Sequence, residues 1–304
     1  MSRPRRIRKG RVWFVSRRGT RRSFILRPDA DGQMQLLYWY VTAVFAAKFG
    51  ILLHAVQIMS THMHEVLTDV HGVLPAFLRE RNRIFANCLK EMRDWPEEVF
   101  QRKPASCIEL LNPAAIAKQI GYTLANCVEA GLVDHPDDWP GVTVRVDDMG
   151  HTYVEVARPK VWFDPDNAMW PEVARIQITL PQPLLDAYET PERALDFVRS
   201  VVDEAIRAAR SLARALHRTA KSLREVLETP FARRARSEEP RMARVPPFAC
   251  GGDRRLARDA AADMRAFYRA YEAAKRACRC GVSPNFPEGT WRWARELFPP
   301  VCSA

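Results

Sequence analysis

Two apolar runs face each other across a short polar turn, and that arrangement constrains this chain more than any other feature. Ile51-Leu52-Leu53-His54-Ala55-Val56-Gln57-Ile58 comes first, then Met59 and the turn Ser60-Thr61, then His62-Met63-His64-Glu65-Val66-Leu67. Two strands joined by a tight turn make an antiparallel hairpin. Side chains at i and i+2 of a strand share a face, so His62 and His64 stand side by side. Two imidazoles held that way supply half of a divalent-metal site. His-x-His alone is a loosely specific signal. It gains weight from a tyrosine-bearing helix about sixty residues downstream.

The chain has 304 residues, room for two domains or for one with a large appendage. Its hydrophobic fraction of 47% is enough for a packed core. A net charge of +11 points to a polyanionic partner, with nucleic acid the leading candidate. Seven cysteines, an odd number with no C-x-x-C pair, read as reduced thiols of a cytoplasmic protein. Cys278 and Cys280 with Cys250 or Cys302 are poorly spaced for zinc. The longest apolar run, 36–49, is too short to span a membrane and contains Lys48. No signal-peptide pattern follows the basic start, and no membrane role is expected.

Arg3, Arg5, Arg6, Arg8, Lys9, Arg11, Arg17, Arg18, Arg21 and Arg22 crowd the first 22 residues with no acid among them, a composition that attracts phosphates. Val12-Trp13-Phe14-Val15 within this run reads as a first strand. The Pro28-to-Gly32 turn leads into a helix to about Lys48, which Gly50 ends. After the hairpin, apolar residues at helical spacing mark an amphipathic helix over 73–93, with Arg79, Arg81, Arg83 and Lys90 on a basic side. Val99-Phe100-Gln101 and Cys107-Ile108-Glu109-Leu110 supply a fourth strand or two short ones. Asn112-Pro113 opens the next helix, which Gly131 stops. Ile116, Ile120, Leu124 and Val128 form its core row, while Tyr122 and Asn126 lie four apart on another stripe. The order β-α-β-β-α-β-α predicts a ferredoxin-like α+β unit, an antiparallel sheet with its two crossover helices on one face.

These motifs carry a resemblance. The stretch 12–142 resembles the REP-associated tyrosine transposases, single-tyrosine nucleases of the HUH (His-hydrophobic-His) type. That family shows Met-Pro-Asn-His-x-His on the second hairpin strand, where this chain has Met59-Ser60-Thr61-His62-Met63-His64. Its helix Tyr-Ile-x-x-Asn-Pro-Val-x-Ala-Gly-Leu-Val stands here as Tyr122-Thr123-Leu124-Ala125-Asn126-Cys127-Val128-Glu129-Ala130-Gly131-Leu132-Val133. Asp137-Asp138-Trp139-Pro140 matches its Trp-containing turn, and Val99-Phe100-Gln101-Arg102-Lys103 is similar to its Phe-Gln-x-Arg-Phe-Lys run. The departures are Ser60-Thr61 for Pro-Asn, Cys127 for Pro, and Glu129 where an Arg is expected.

The resemblance implies a DNA transposase or endonuclease that cuts and rejoins single-stranded or hairpin DNA through a phosphotyrosine intermediate. Tyr122 would be the nucleophile; His62 and His64, with Asn126 as third ligand, would hold one Mg²⁺ or Mn²⁺. DNA contact is expected at Arg5, Arg6, Arg8, Lys9, Arg11, Arg17, Arg18, Arg102 and Lys103. Homodimer and monomer both stay open. The alternative is a catalytically inactive, domesticated DNA-binding regulator derived from such a transposase. A third class, a phosphoesterase that activates water on a metal, would not need Tyr122.

Residues 1–141 are thus expected to form the catalytic domain and 142–304 a mixed strand and long-helix extension. Val142-Thr143-Val144-Arg145-Val146 and Thr152-Tyr153-Val154-Glu155-Val156 read as a second hairpin, with a further strand at 174–180. A long helix over 191–227 carries Arg207, Arg210, Arg214, Arg218, Lys221 and Arg224. Residues 229–252 read as a loose basic linker, and a last helix covers 253–278 with Phe267, Tyr268 and Tyr271. The aromatic end, Trp291-Arg292-Trp293, could stack on bases or cap the core.

Overall fold

The fold is described from a computed structural model, which covers residues 4–235 and 245–291; Arg3, Arg292, Trp293, Cys302 and the middle of the basic linker lie outside the described residues. Among the described residues the strands are β1 Arg11–Arg18, β2 Ile51–Ile58, β3 His62–Asp69, β4 Ser106–Leu110, β5 Tyr153–Ala157, β6 Val173–Gln177 and β7 Phe248–Ala249. The helices are α1 Gln33–Phe49, α2 Leu74–Met92, α3 Pro113–Glu129, α4 Gln182–Leu185, α5 Pro191–Ala215, α6 Leu223–Glu228 and α7 Arg254–Arg279. The main sheet has the order β2-β3-β1-β4-β7. Its first four strands are mutually antiparallel, and β7 runs parallel to β4. The sheet is therefore mixed, not antiparallel throughout as expected, because the far end of the basic linker adds a strand.

β1 reads as an unbroken apolar run because both sheet faces are covered. Val12, Trp13, Phe14 and Val15 are all buried. α1 and α2 cover one face, and α3 covers the other, so helices lie on both sides. The first face is held by a buried ion pair. The Arg81 guanidinium of α2 donates to both oxygens of Glu65 on β3, at 2.6 and 2.7 Å, and the Tyr38 hydroxyl of α1 donates to the same carboxylate at 2.6 Å. Burial opposes the Arg81 charge, but Glu65 and Tyr38 hold its pKa above the ordinary value. Arg81 is thus not part of a solvated basic side of α2; the sequence placed it there because its partner lies sixteen positions back. Asp69, at the end of the same strand, accepts from the backbone nitrogens of Val73 and Leu74 and so starts α2.

α1 is buried almost all round. Its outer side meets the β5–β6 ribbon and the arm between those strands, where Tyr40 packs on Phe163 at 5.0 Å and donates to the Pro171 carbonyl at 2.7 Å. No described helix is long and apolar enough to cross a membrane.

Three expectations are corrected. The second hairpin does not form: β5 pairs with β6. The 142–144 segment instead caps the open edge of β2, with Ile58 N donating to Val142 O and Gln57 bridging to Thr143. Burying Val142 and Val144 there meets the apolar demand that suggested a strand, and it closes an exposed edge. The long helix stops at Ala215, where His217 takes φ 51°, and restarts at Ser222, which forms a reciprocal capping box with Glu225. The linker is not loose at its described ends. Phe231 lies between the guanidinium groups of Arg27 and Arg93, at 3.9 and 3.8 Å, and Phe248 and Ala249 become β7.

Two tests follow from this packing. Arg81→Met should lower unfolding stability by roughly 3–5 kcal/mol in urea, since it strands a buried carboxylate. Adding Glu65→Leu should recover much of that loss, and a single variant as stable as wild type would refute the role of the pair. His54, buried between Thr68 Oγ1 at 2.7 Å and the Thr179 carbonyl at 2.9 Å, has its pKa pushed by burial from 6.5 to about 4. The unfolded chain takes the proton first, so this contribution is complete above pH 6.5 and is lost as pH falls toward 4. The stability difference between wild type and His54→Asn should fall by about 3 kcal/mol across that window, measured by urea titration at each pH.

Candidate active site on the sheet face

The face of β3 opposite Glu65 carries His62 and His64, whose ring centroids are 4.7 Å apart. α3 crosses this face because Ile116, Ile120, Leu124 and Val128 are buried beneath it, as their spacing predicts. Asn112 caps its first turn by accepting from Ala115 N at 2.8 Å. Gln57 on β2, paired in register with His64, fixes the helix laterally. Its amide oxygen accepts from Cys127 N at 3.2 Å, and its amide nitrogen lies 3.1 Å from the Cys127 sulfur. A proline at 127 would lack that N–H. The departure from the resembled motif therefore has a structural partner in Gln57.

α3 thereby brings Tyr122 and Asn126 over the histidine pair. Asn126 Oδ1 lies 3.1 Å from His62 Nε2, and Thr61 Oγ1 lies 2.9 Å from His62 Nδ1. With the amide oxygen accepting, His62 carries its proton on Nε2 and accepts from Thr61. His64 stacks on Phe14 of β1 at 5.2 Å and meets the Tyr122 ring edge-on at 5.3 Å. Neither nitrogen of this buried ring has a hydrogen-bond partner among the described residues. Buried polar groups left unpaired are uncommon and costly, and they call for an explanation.

The electrostatics favour neutral side chains. Burial, with a further push from Arg18, lowers the His62 pKa to about 4. Burial, His62 and Arg18 lower that of His64 well below its usual value. Both imidazoles are therefore neutral at pH 7, the form that ligates metals. Among the described residues no three His, Cys, Asp or Glu side chains converge on one point. A divalent ion would therefore take the two imidazoles and the Asn126 amide oxygen, and the unpaired His64 nitrogens fit that donor set. Tyr122 is 41% exposed. Its pKa is raised by burial and then by Glu129, against the opposing pull of Arg18 and Asn126.

The cations expected to touch DNA are scattered. Arg18, in register with His62, is the one of the nine that belongs to the histidine face, and it has no ion pair among the described residues. Arg17, its neighbour on β1, points to the opposite face, where it donates to the Lys103 carbonyl and lies over the Phe100 ring at 5.1 Å. Arg102 is near Glu98, Lys103 lies in the same segment, and Arg5 donates to Ala105 O. Arg6 pairs with Asp263 of α7, and Arg8 and Arg11 both pair with Glu109. Lys9 is exposed beside Gly72. The arm is not the unopposed run its local composition suggested, because acids more than 90 positions away reach it. Thr61, Phe14 and Gln57 were missed as site residues. The alternation of the strands could have placed the last two on the histidine face.

No protein-family profile and no curated protein matches this chain. Among solved structures, one of a REP-associated tyrosine transposase bound to a REP hairpin is similar, with a TM-score of 0.41 and 22% identity over 49% of this chain and 85% of that one. That likeness is partial, and the case for function rests on the side chains of the site.

Gln57→Ala should lower the unfolding free energy by roughly 1–3 kcal/mol, because the lost amide leaves buried polar atoms on α3 without a partner. Unchanged urea midpoints would show that Gln57 does not anchor the helix.

Proposed function

We propose that this protein is a DNA transposase or endonuclease that cuts and rejoins single-stranded or hairpin DNA through a covalent link to Tyr122. The observation that carries the reading is the convergence of an accessible tyrosine, two neutral imidazoles (His64 buried, His62 half-buried) and an amide oxygen on one sheet face. The order β2-β3-β1-β4 with α1 and α2 as crossovers supports a ferredoxin-like catalytic unit over residues 1–141. In this reading the described residues after 141 buttress that unit, with α5 backing α3 and β7 extending the sheet.

The Tyr122 oxygen forms a bond to phosphorus of the scissile phosphodiester, and the bond to the 3′ oxygen breaks. The products are a phosphotyrosyl DNA end and a free 3′-hydroxyl, with the phenolic proton passed through water to the leaving 3′ oxygen. Because the phosphodiester energy is kept in the tyrosyl ester, a second 3′-hydroxyl reseals the strand without ATP. Held by His62, His64 and Asn126, Mg²⁺ or Mn²⁺ would act as a Lewis acid toward a non-bridging phosphate oxygen. Arg18, which has no ion pair among the described residues, would neutralise developing charge on that phosphate from the same face, and it already favours the ionised form of Tyr122. One observation favours the inactive, DNA-binding reading: Glu129 pushes the Tyr122 pKa upward, at a position where the resembled family carries a cation.

Incubation with end-labelled hairpin DNA and Mg²⁺ or Mn²⁺ distinguishes the two. Wild type should give a covalent adduct on the tryptic peptide 119–145, and Tyr122→Phe should give none while binding DNA as before. The double variant His62→Ala, His64→Ala should lose cleavage by at least about a hundredfold. Asn126→Ala should be milder, since water can replace a neutral oxygen ligand. An adduct that persists in Tyr122→Phe would assign the nucleophile elsewhere. Tight binding without any adduct from wild type would leave the regulatory reading.

A further inference from the structure

On the face of the sheet away from Tyr122, α2 and the 98–105 segment form the walls of an open groove of about 700 Å³. Arg79, Arg83 and Lys90 line it from α2, and Arg5, Arg17 and Arg102 line it from the other side, against one lining carboxylate, Glu98. We infer that this groove holds the phosphodiester backbone of the DNA strand that leads to or from the cleavage site. The inference rests on the function proposed above for the histidine face.

Three features point to a polymer rather than a small anion. The α2 cations span eleven positions, about 16 Å along the helix axis, which covers several nucleotides at the ~3.4 Å rise of a stacked strand. The groove is open, so a chain can enter and leave it. Three of its cations are also lightly engaged. Arg79 and Arg83 share one carboxylate, Glu80, at 2.9 and 3.1 Å, and Arg102 is 90% exposed at 3.4 Å from Glu98. Exposed pairs of this kind contribute at most about 1 kcal/mol, so phosphates can replace them.

The groove also connects to the site. Arg17 and Arg18 are consecutive on β1, and successive strand residues point to opposite faces. Arg17 lines the groove, while Arg18 sits in register with His62 on the catalytic face. A strand passing from one arginine to the other would round this end of the sheet, over the segment in which Gly19 bonds to Thr61 and Thr20 to Val99. Six cations brought from three parts of the chain would hold the flank, and Tyr122 would meet the bond to be cut.

The triple variant Arg79→Gln, Arg83→Gln, Lys90→Gln tests this in the full-length protein, with fluorescence anisotropy of a labelled single-stranded oligonucleotide over a range of NaCl. An equal loss of charge on α7, Arg258→Gln, Arg265→Gln, Arg269→Gln, is the control, and circular dichroism checks that both fold. The groove variant should bind at least about tenfold more weakly at low salt, and its salt slope should fall by about two, for three contacts at ~0.7 each. The control should keep the wild-type slope. Equal losses in both variants would mean diffuse charge attraction and overturn the inference, as would wild-type binding by the groove variant. Displacement by inorganic phosphate, or by a poly-glutamate peptide, beyond that caused by NaCl of equal ionic strength would reassign the groove to that ligand. The two proposals fail separately. If wild type forms no adduct but the groove variant loses affinity, the chemistry falls and the groove stands; normal adduct formation and affinity in the groove variant mean the reverse.

Discussion

A carboxylate buried in the middle of a strand has to be neutralised, and much of this architecture follows from how Glu65 is. Isolated, its charge would cost several kcal/mol in the interior. Arg81 and Tyr38 approach it from two different helices, so the pair fixes α1, α2 and β3 relative to one another in a way that apolar packing alone would not. Asp69, on the same face, sets the point at which α2 begins. Strand alternation then leaves the opposite face of β3 to His62 and His64. The register that buries Glu65 on one side presents the imidazoles on the other, and a slip of one residue would exchange them.

Three histidines of the sheet show what separates a structural imidazole from one that waits for something. His54 has a partner at each nitrogen and sits at a bulge of β2, where it joins the sheet to the Thr179 segment. His62 is also satisfied at both nitrogens, but one of its partners is an amide oxygen from the tyrosine helix. His64 is held only by ring contacts, with Phe14 and Tyr122 against it and both nitrogens unpaired among the described residues. Burial and hydrogen-bond supply diverge most at the position nearest the tyrosine. That divergence, more than the His-x-His spacing, singles out this face as the candidate site.

Local signals were legible where one element decides its own fate. The hairpin, the Asn112 cap, the Gly50 and Gly131 stops and the core row of α3 depend on neighbours in sequence, and the structure has all of them. The Ser222-x-x-Glu225 box was equally local and was overlooked, which is why one long helix was expected where two form. The remainder depended on partners distant in the chain. Arg81 looked solvated because Glu65 is on another element, and the N-terminal arginines looked unopposed because Glu109 and Asp263 come from β4 and α7. Val142 and Val144 satisfied a strand pattern by sealing an edge instead. At the site, the residues that chemistry names were visible in the sequence. Of those that position them, Gln57 and Phe14 are placed by strand alternation and cross-strand register, and Thr61 by its contact with His62 from the turn.

Gly121, one residue before the tyrosine, lets α5 come so close to α3 that a Cβ there would lie 3.1 Å from that of Ala205 and 3.2 Å from the Val201 carbonyl oxygen. The helix bearing Tyr122 is thus clamped between the sheet and a second helix, with Gln57 gripping it from below. A side chain mounted this way stays over the imidazoles of its own chain. Under the function proposed above, any exchange of DNA ends would therefore move the nucleic acid past a fixed tyrosine.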